Sequence, residues 1–316
     1  MSDSQFPSSL FPGERDIDLG EDDPARNTTK RTIGAILVDD GFITMDDASR
    51  VMELQREQKI RFGEAAVKLG LISEGDLRDA LSYQYQYQYA YLLRANGKHT
   101  SNELVAAHKP FSPEVDQLRS IRSQLMLRWF DKSPGPAMLA IVGAGRAQGT
   151  TYLAANLAVV FAQLGEKTLL IDADMHTPRQ HALFQLNNQL GFSSLLAGRS
   201  DVASALHTIS FMPNLDVIPA GPIPPNPQEL LNRDNLAELL DWAGKTYGIV
   251  LIDTPSMFTR VDSTLLASRA GAALAVARAN ETKISAFKGL IEELKRANIN
   301  VVGSVMNSLP LIDVGT

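Results

Sequence analysis

The chain has 316 residues, of which 44% are hydrophobic and 21% are charged, as in an ordinary soluble globular protein of about two domains. Its net charge of −6 does not favour a nucleic-acid partner, because nucleic-acid-binding domains usually carry a basic patch. The absence of cysteine excludes disulfides and thiolate chemistry, and it agrees with a cytoplasmic location.

Residues 1–30 are rich in Ser, Asp, Pro and Gly and are predicted to form a disordered tail. They lack the basic segment and apolar run of a signal peptide. No apolar run in the sequence approaches the ~20 residues that a membrane span needs. We therefore expect no direct membrane insertion, and we expect any association with a membrane to depend on a partner.

Residues 31–90 contain an internal repeat. The segment 32–55 aligns without gaps on the segment 61–84, at a constant offset of 29 residues. Each unit reads as a pair of helices, too small to bury its own apolar face, so we expect the two units to pack together. The repeat predicts a small all-α domain.

The boundaries of the helices in each unit follow from single residues. The first helix of each unit is predicted to end at a glycine, Gly41 or Gly70. The second helix is predicted to begin after a hydroxyl-bearing cap, Thr44 or Ser73.

This repeat resembles the N-terminal domain of type II secretion and pilus assembly ATPases. In some members of that family the domain binds cyclic di-GMP. The second unit keeps the basic residue before its Phe-Gly pair, Arg61, whereas the first unit has Thr32 at that position. This favours a protein-docking or spacer module, with cyclic di-GMP binding as the alternative.

Five of the seven tyrosines lie in the stretch SYQYQYQYAYLL that follows. The alternation of Tyr and Gln has the period of a strand and predicts an extended segment leaving the helical domain. If a tyrosine kinase follows in the chain, these residues are also candidate phosphate acceptors: Tyr83, Tyr85, Tyr87, Tyr89 and Tyr91.

A polar linker is predicted at residues 91–113, followed by a helix that opens the second domain. Asp116, Arg119 and Arg122 are spaced three apart and fall near one face of that helix. Apolar residues fall on another side, which predicts that the helix packs on a core.

Residues 114–316 alternate apolar runs with helical segments, which predicts an α/β fold with a mostly parallel sheet covered by helices on both faces. In such sheets, ligands bind at the carboxyl ends of the strands. Strands are predicted at residues 137–143, 167–174, 215–221, 247–255, 272–278 and 300–308.

Three polar segments at predicted strand ends suit ATP with Mg²⁺. The loop after Gly143 leads into a helix and offers backbone N–H groups to phosphates. Thr151 is placed to coordinate Mg²⁺, and Asp253 fits the carboxylate that holds this metal. Asp172 and Asp174 share one side of their strand and could bind the metal or accept a proton. The candidate nucleotide-binding residues are Gly145, Arg146, Ala147, Gln148, Gly149, Thr150 and Thr151.

The second domain resembles the bacterial tyrosine kinases of polysaccharide export, the CpsD/CapB-like P-loop NTPases with deviant Walker motifs. The resemblance covers residues 110–308. It rests on the stretches TTYLAANLA, LLIDADMHTPR, AGPIPPNPQELL and IVLIDTPS, with His176 where the family usually has Arg. The helix bearing Asp116, Arg119 and Arg122 resembles the family's ring-forming ExxRxxR segment.

This resemblance implies ATP or ADP with Mg²⁺ as cofactor and homo-oligomerisation through the Asp116–Arg122 helix. It also implies a partner, an inner-membrane polysaccharide chain-length determinant or co-polymerase. A cytoplasmic protein recruited to the inner membrane by that partner is the expected arrangement.

Two features depart from the family pattern. Thr150 stands where the family has a lysine, and no lysine lies between Lys132 and Lys167. Losing one preorganised charge aimed at the phosphates is expected to cost roughly 10²–10³ in rate. Arg146 is a candidate substitute cation. The sequence also ends without the tyrosine-rich tail on which these kinases autophosphorylate.

Three functional hypotheses follow. The first is a degenerate kinase, with weak or no kinase activity, that regulates exopolysaccharide biosynthesis or export. The second is an active ATP-dependent protein tyrosine autokinase that phosphorylates the tyrosine stretch. The third is a ParA/MinD-like positioning ATPase, against which the PPNPQELL stretch argues.

Overall fold

The computed structural model describes residues 32–39, 41–73, 76–77, 100–132, 137–257 and 262–308. The chain divides into two compact units, residues 1–86 and 87–316. The predicted tail at residues 1–30 and the tyrosines at 83–91 lie outside the described residues, and both stay predictions.

Helices make up most of the described part of the first unit. They are α1 (Ile33–Asp39), α2 (Met45–Gln58) and α3 (Phe62–Lys68). Thr44 caps α2: its hydroxyl accepts from the N–H of Asp47, and its own N–H donates to the Asp47 carboxylate, both at 3.1 Å. Ser73 and Asp76 make the same reciprocal pair of bonds. Both predicted caps are confirmed.

Equivalent positions of the two repeats build one core. The predicted helix-ending glycines both adopt left-handed backbone, with φ of +73° at Gly41 and +69° at Gly70. The buried cluster of this unit draws on both repeats: Ile36, Leu37, Ile43, Ala48, Val51, Ala65, Ala66 and Ile72. The expectation that the two repeats pack together is confirmed.

A seven-stranded sheet with helices around it forms the second unit. The strands are β1 (Met138–Gly143), β2 (Thr168–Asp172), β3 (His207–Ile209), β4 (Met212–Ile218), β5 (Ile249–Asp253), β6 (Ala272–Arg278) and β7 (Asn300–Asn307). The helices are α4 (Val105–His108), α5 (Pro113–Arg128), α6 (Thr150–Gln163), α7 (Gln180–Phe184), α8 (Phe192–Leu196), α9 (Val202–Ala205), α10 (Pro227–Leu231), α11 (Asp234–Thr246), α12 (Asp262–Ala270) and α13 (Ile284–Arg296).

The strand order is β3-β4-β2-β5-β1-β6-β7. All neighbouring strands are parallel except β3, which pairs antiparallel with β4. The predicted parallel sheet is therefore confirmed. β3 was not predicted, because three residues are too few to establish an alternating pattern.

Side chains on the two faces of the sheet enter two separate cores. On β1, Leu139 and Ile141 face a core that contains the apolar residues of α6. Met138, Ala140 and Val142 face the opposite core, which contains residues of α11, α12 and α13. This two-sided burial explains why the central strands are continuous apolar runs, and it confirms the prediction of helices on both faces.

Residues 100–108 fall within the predicted polar linker, yet much of this segment is buried against α6. The buried Asn156 side chain accepts from the N–H of Ala106 at 2.9 Å and donates to the carbonyl oxygen of Glu103 at 2.8 Å. Leu104 and Ala106 are fully buried. This packing was not predicted, because Asn156, the polar partner of this segment, lies 50 residues beyond Ala106.

Helix α5 packs through its apolar side, as predicted: Leu118 and Leu125 are buried and Ile121 packs against the same core. Of the helices in the described ranges, none combines the length and hydrophobicity that crossing a bilayer requires.

Candidate nucleotide-binding site

The ends of three adjacent strands bring the polar segments together. In the sheet, β2 and β1 lie on either side of β5. Asp253, the last residue of β5, pairs in register with Asp172 on one side and with Ile141 on the other. The two carboxylates and the loop after β1 therefore meet at one edge of the sheet, as the sequence predicted for a parallel arrangement.

The loop after β1 has the backbone of an anion-binding turn. Ala147 and Gly149 both have left-handed backbone, with φ of +57° and +89°. Alternation of right- and left-handed residues makes successive N–H groups converge on one side. Helix α6 begins directly afterwards at Thr150, and its N-terminus adds a partial positive charge.

A buried glutamine lies against the loop. Gln148 is 8% exposed, and its Oε1 is buried without a hydrogen-bond partner among the described residues. This oxygen lies 3.1 Å from the point where a Cβ of Gly143 would be, and Nε2 lies 3.1 Å from the equivalent point at Gly145. The two glycines thus leave room for the Gln148 carboxamide inside the loop.

Replacing Gly149 with alanine is expected to eliminate ligand binding by this loop. The left-handed backbone disfavours any side chain, and a Cβ at Gly149 would collide with Nδ2 of Asn307. Gly165→Ala is the matched control, because Gly165 is equally left-handed, with φ of +97°, but has open space around it. The measurement is the rise in melting temperature on adding Mg-ADP. We expect this rise in Gly165→Ala and not in Gly149→Ala. Equal rises in both variants would contradict the prediction.

Asp172 and Asp253 form a buried carboxylate pair. They are 0% and 1% exposed. Burial, together with the neighbouring Asp253 charge, raises the pKa of Asp172 well above its ordinary range. Burial raises the pKa of Asp253 to about 7, although hydrogen bonds from the Gln180 and Thr151 side chains oppose the shift. The predicted metal ligands therefore lie together: Thr151, Asp172 and Asp253.

The Asp174 carboxylate closes a turn. Its Oδ1 accepts from the backbone N–H groups of His176 at 3.0 Å and Thr177 at 2.9 Å, and its Oδ2 accepts from the Thr177 hydroxyl at 2.7 Å. Asp172 instead accepts three backbone N–H bonds, from Asp174, Arg179 and Gln180. Both predicted catalytic carboxylates thus lie at the site, each held by several donors.

Gln180 connects these groups and was not predicted. Its buried side chain donates to the Asp253 carboxylate at 2.9 Å and to the carbonyl oxygen of Thr151 at 3.1 Å. Its backbone N–H donates to Asp172 at 3.0 Å. A lone glutamine at the start of α7 carries no sequence signal for this role.

Two further residues that the sequence analysis missed contact the loop from β6 and β7. The Arg278 guanidinium donates to the carbonyl oxygen of Ala147 at 3.1 Å, and the Asn307 side chain donates to that of Gln148 at 3.2 Å. Arg146, the predicted substitute cation, is exposed. The position of Arg278 at a strand end was a usable signal, but five other predicted strand ends competed with it.

His176 pairs with Asp262 at the same edge of the sheet. The distance from His176 Nε2 to Asp262 Oδ2 is 2.7 Å, and Asp262 is buried. The role of Asp262 was not predicted, since it lies 86 residues from its partner.

The three residues predicted for oligomerisation lie on α5. Asp116 is exposed and accepts from Arg119 at 3.0 Å. Arg122 donates to the carbonyl oxygen of Val160 in α6, at 2.8 Å. The described contact of Arg122 is therefore within its own chain, and self-association through these residues stays a prediction.

Comparison with known proteins was made for the sequence and for the structure. The model of a family described as an AAA domain matches residues 140–301. The tyrosine-protein kinase wzc of Salmonella typhimurium is 33% identical over 67% of this chain and 29% of its own length. The tyrosine-protein kinase etk of Escherichia coli is 32% identical over 65% of this chain and 28% of its own length. The chain thus spans less than a third of these relatives.

Two solved structures are similar to this chain over most of their own length. The kinase domain of Escherichia coli tyrosine kinase ETK has a TM-score of 0.63 and 31% identity, covering 69% of this chain and 86% of that structure. The chimerical protein CapA2B2 has a TM-score of 0.62 and 33% identity, covering 67% of this chain and 92% of that structure.

Proposed function

Because this chain belongs to the AAA domain family, and within it to the bacterial tyrosine kinases of exopolysaccharide biosynthesis, we propose that it is a nucleotide-binding regulator of exopolysaccharide assembly with weak or no kinase activity. One observation carries this proposal. The carboxylates and the anion-binding loop of a P-loop NTPase are present, and Thr150 begins α6 at the position where the family resemblance implies a lysine.

A Mg²⁺ ion fits the residues present. Oδ1 of Asp253 is buried without a hydrogen-bond partner among the described residues. Two adjacent buried carboxylates with raised pKa values are poorly stabilised as anions, so a cation between them and the phosphates would be favoured. Thr151, Asp172 and Asp253 would hold the ion. When bound, Mg²⁺ neutralises charge on the phosphates.

The remaining residues bind and orient the nucleotide. The N–H groups of the loop and the start of α6 hold the phosphates. Asp172 or Asp174 accepts the proton of an attacking hydroxyl. With Thr150 in place of lysine, no ammonium group follows the negative charge that moves onto the leaving group. We therefore expect the nucleotide to bind, but its phosphoryl group to be transferred slowly.

The proposed partner is an inner-membrane polysaccharide chain-length determinant, which would recruit this chain to the membrane. The relatives are tyrosine kinases more than three times as long as the matched region. The match therefore does not include most of their length, and the partner is inferred from the family resemblance. Homo-oligomerisation through Asp116, Arg119 and Arg122 belongs to the same proposal. A double Arg119→Ala/Arg122→Ala variant would retain an oligomeric mass if these residues are not the interface.

Calorimetric titration with ATP and ADP, with and without Mg²⁺, tests the proposal together with an anti-phosphotyrosine assay in the presence of the partner's cytoplasmic segment. We expect Mg²⁺-dependent binding and little phosphotyrosine. Strong phosphorylation at Tyr83–Tyr91, lost in Asp174→Asn, would instead establish an active autokinase. Absence of nucleotide binding would overturn the proposal.

A further inference from the structure

Two side chains clamp the loop from the side opposite the carboxylates. Arg278 ends β6 and Asn307 ends β7, and these residues pair in register. The N–H of Ala279 also donates to the carbonyl oxygen of Asn307 at 2.8 Å, which fixes the two strand ends to each other. Arg278 and Asn307 therefore lie side by side at the ends of β6 and β7.

The clamp acts on two consecutive peptide groups. Arg278 donates to the carbonyl oxygen of Ala147, and Asn307 donates to that of Gln148. In a trans peptide, the C=O and N–H bonds point in opposite directions. The N–H groups of Gln148 and Gly149 are therefore turned away from the clamp, in the direction available to a bound anion.

Arg278 also brings a positive charge to the loop. Its guanidinium is held by Glu281, with 3.4 Å between Nε and Oε1, and 24% of its side chain is exposed. A guanidinium bound to a peptide carbonyl polarises that peptide and strengthens its N–H as a donor. Arg146, by contrast, is exposed, and no hydrogen bond or ion pair holds it within the described ranges.

We propose that Arg278 and Asn307 are positioning residues that hold the loop amides ready for the nucleotide phosphates, and that Arg278 replaces part of the positive potential lost with the lysine at position 150. This inference rests on the proposed nucleotide binding. It assigns the compensating charge to β6 rather than to Arg146.

Charge-removing substitutions at the two arginines test the assignment. We expect Arg278→Gln to weaken ATP and ADP binding about tenfold, equivalent to ~1.4 kcal/mol. Arg278→Lys should recover part of the affinity, since it keeps the charge but loses the planar fork. Arg146→Gln should have the smaller effect. Arg296→Gln, on the exposed surface of α13, removes the same charge far from the loop and should bind like the wild type.

The salt dependence of affinity separates an electrostatic role from a purely structural one. The difference between the wild type and Arg278→Gln should shrink as ionic strength rises, because salt screens a charge that is partly exposed. Asn307→Ala should weaken binding with little change in this salt dependence, because it removes a neutral donor.

Three outcomes decide the matter. Wild-type affinity in Arg278→Gln, with nucleotide still bound, would overturn the clamp and leave the proposed function intact. A larger loss in Arg146→Gln than in Arg278→Gln would assign the charge to Arg146 instead. A wild-type chain that binds no nucleotide would overturn the proposed function and the phosphate-directed clamp with it.

Discussion

Replacing Thr150 with lysine is expected to raise the rate of phosphoryl transfer by roughly 10²–10³-fold, the usual effect of one preorganised charge in an active site. The side chain at this position faces the loop: Cγ2 of Thr150 lies 3.0 Å from where a Cβ of Gly143 would be. A lysine there would extend across the loop toward the phosphates. The carboxylates and Thr151 already lie beside the loop, so the added charge would act together with them.

The rate is measured as initial ATP hydrolysis and phosphotyrosine formation at saturating Mg-ATP. Thr150→Met is the matched control, because methionine is similar to lysine in length but carries no charge. The Gln148 carboxamide lies against the same loop, so the double variant Gln148→Glu/Thr150→Lys is tested in parallel. No gain in either lysine variant over Thr150→Met would contradict the view that the missing cation limits catalysis.

Replacing Asp253 with asparagine is expected to stabilise the metal-free protein at pH 8 while removing its response to Mg²⁺. Burial raises the pKa of Asp253 to about 7, far above the ~3.9 of an unfolded aspartate. The folded state thus binds the proton more tightly than the unfolded state. The contribution of this group to stability is greatest below about pH 4 and is lost as pH rises through about 7.

Asp253→Asn has no buried carboxylate to ionise at pH 8. The side-chain oxygen of the asparagine can still accept the hydrogen bond from Gln180. In EDTA we expect its melting temperature to exceed that of the wild type at pH 8, by about 2–4 °C for each kcal/mol regained, and to match it near pH 4. Asp241→Asn is the control: Asp241 is exposed and bonded to Lys245 at 2.6 Å. It should show no such pH dependence.

Adding Mg-ADP should reverse the order of stability. The wild type gains about 2.7 kcal/mol when the ligand is at 100 times its dissociation constant. Asp253→Asn should gain much less, since it lacks the anionic ligand for the metal. Equal stabilisation of both proteins by Mg-ADP would show that Asp253 does not take part in metal binding.

Local pattern predicted most of the described helices and strands, but not β3 or the packing of residues 100–108 on α6. The repeat at residues 32–55 and 61–84 predicted the helix pairs, their caps at Thr44 and Ser73, and their common core. Alternating apolar runs and helices predicted the parallel sheet and the edge where ligands bind. These features depend on neighbours a few residues apart, so a single sequence contains them.

Part of the site was also visible in the sequence. Asp172, Asp174 and Asp253 were predicted at strand ends, and the family resemblance implied that Thr150 stands in place of a lysine. What the sequence did not contain was which of these groups touch. The in-register pairing of Asp172 with Asp253 follows from β2 lying beside β5, and this adjacency is what buries the two carboxylates together and raises their pKa values.

The amino-acid sequence alone was sufficient to predict the fold class, the repeat and the position of the loop. Only the tertiary structure decided which residues support the loop. Arg278 and Asn307 lie 131 and 159 residues from the carbonyl groups they bind, and no spacing rule connects them. The physical reason is that strand order and register, which are set by the packing of the whole sheet, determine which strand ends lie side by side.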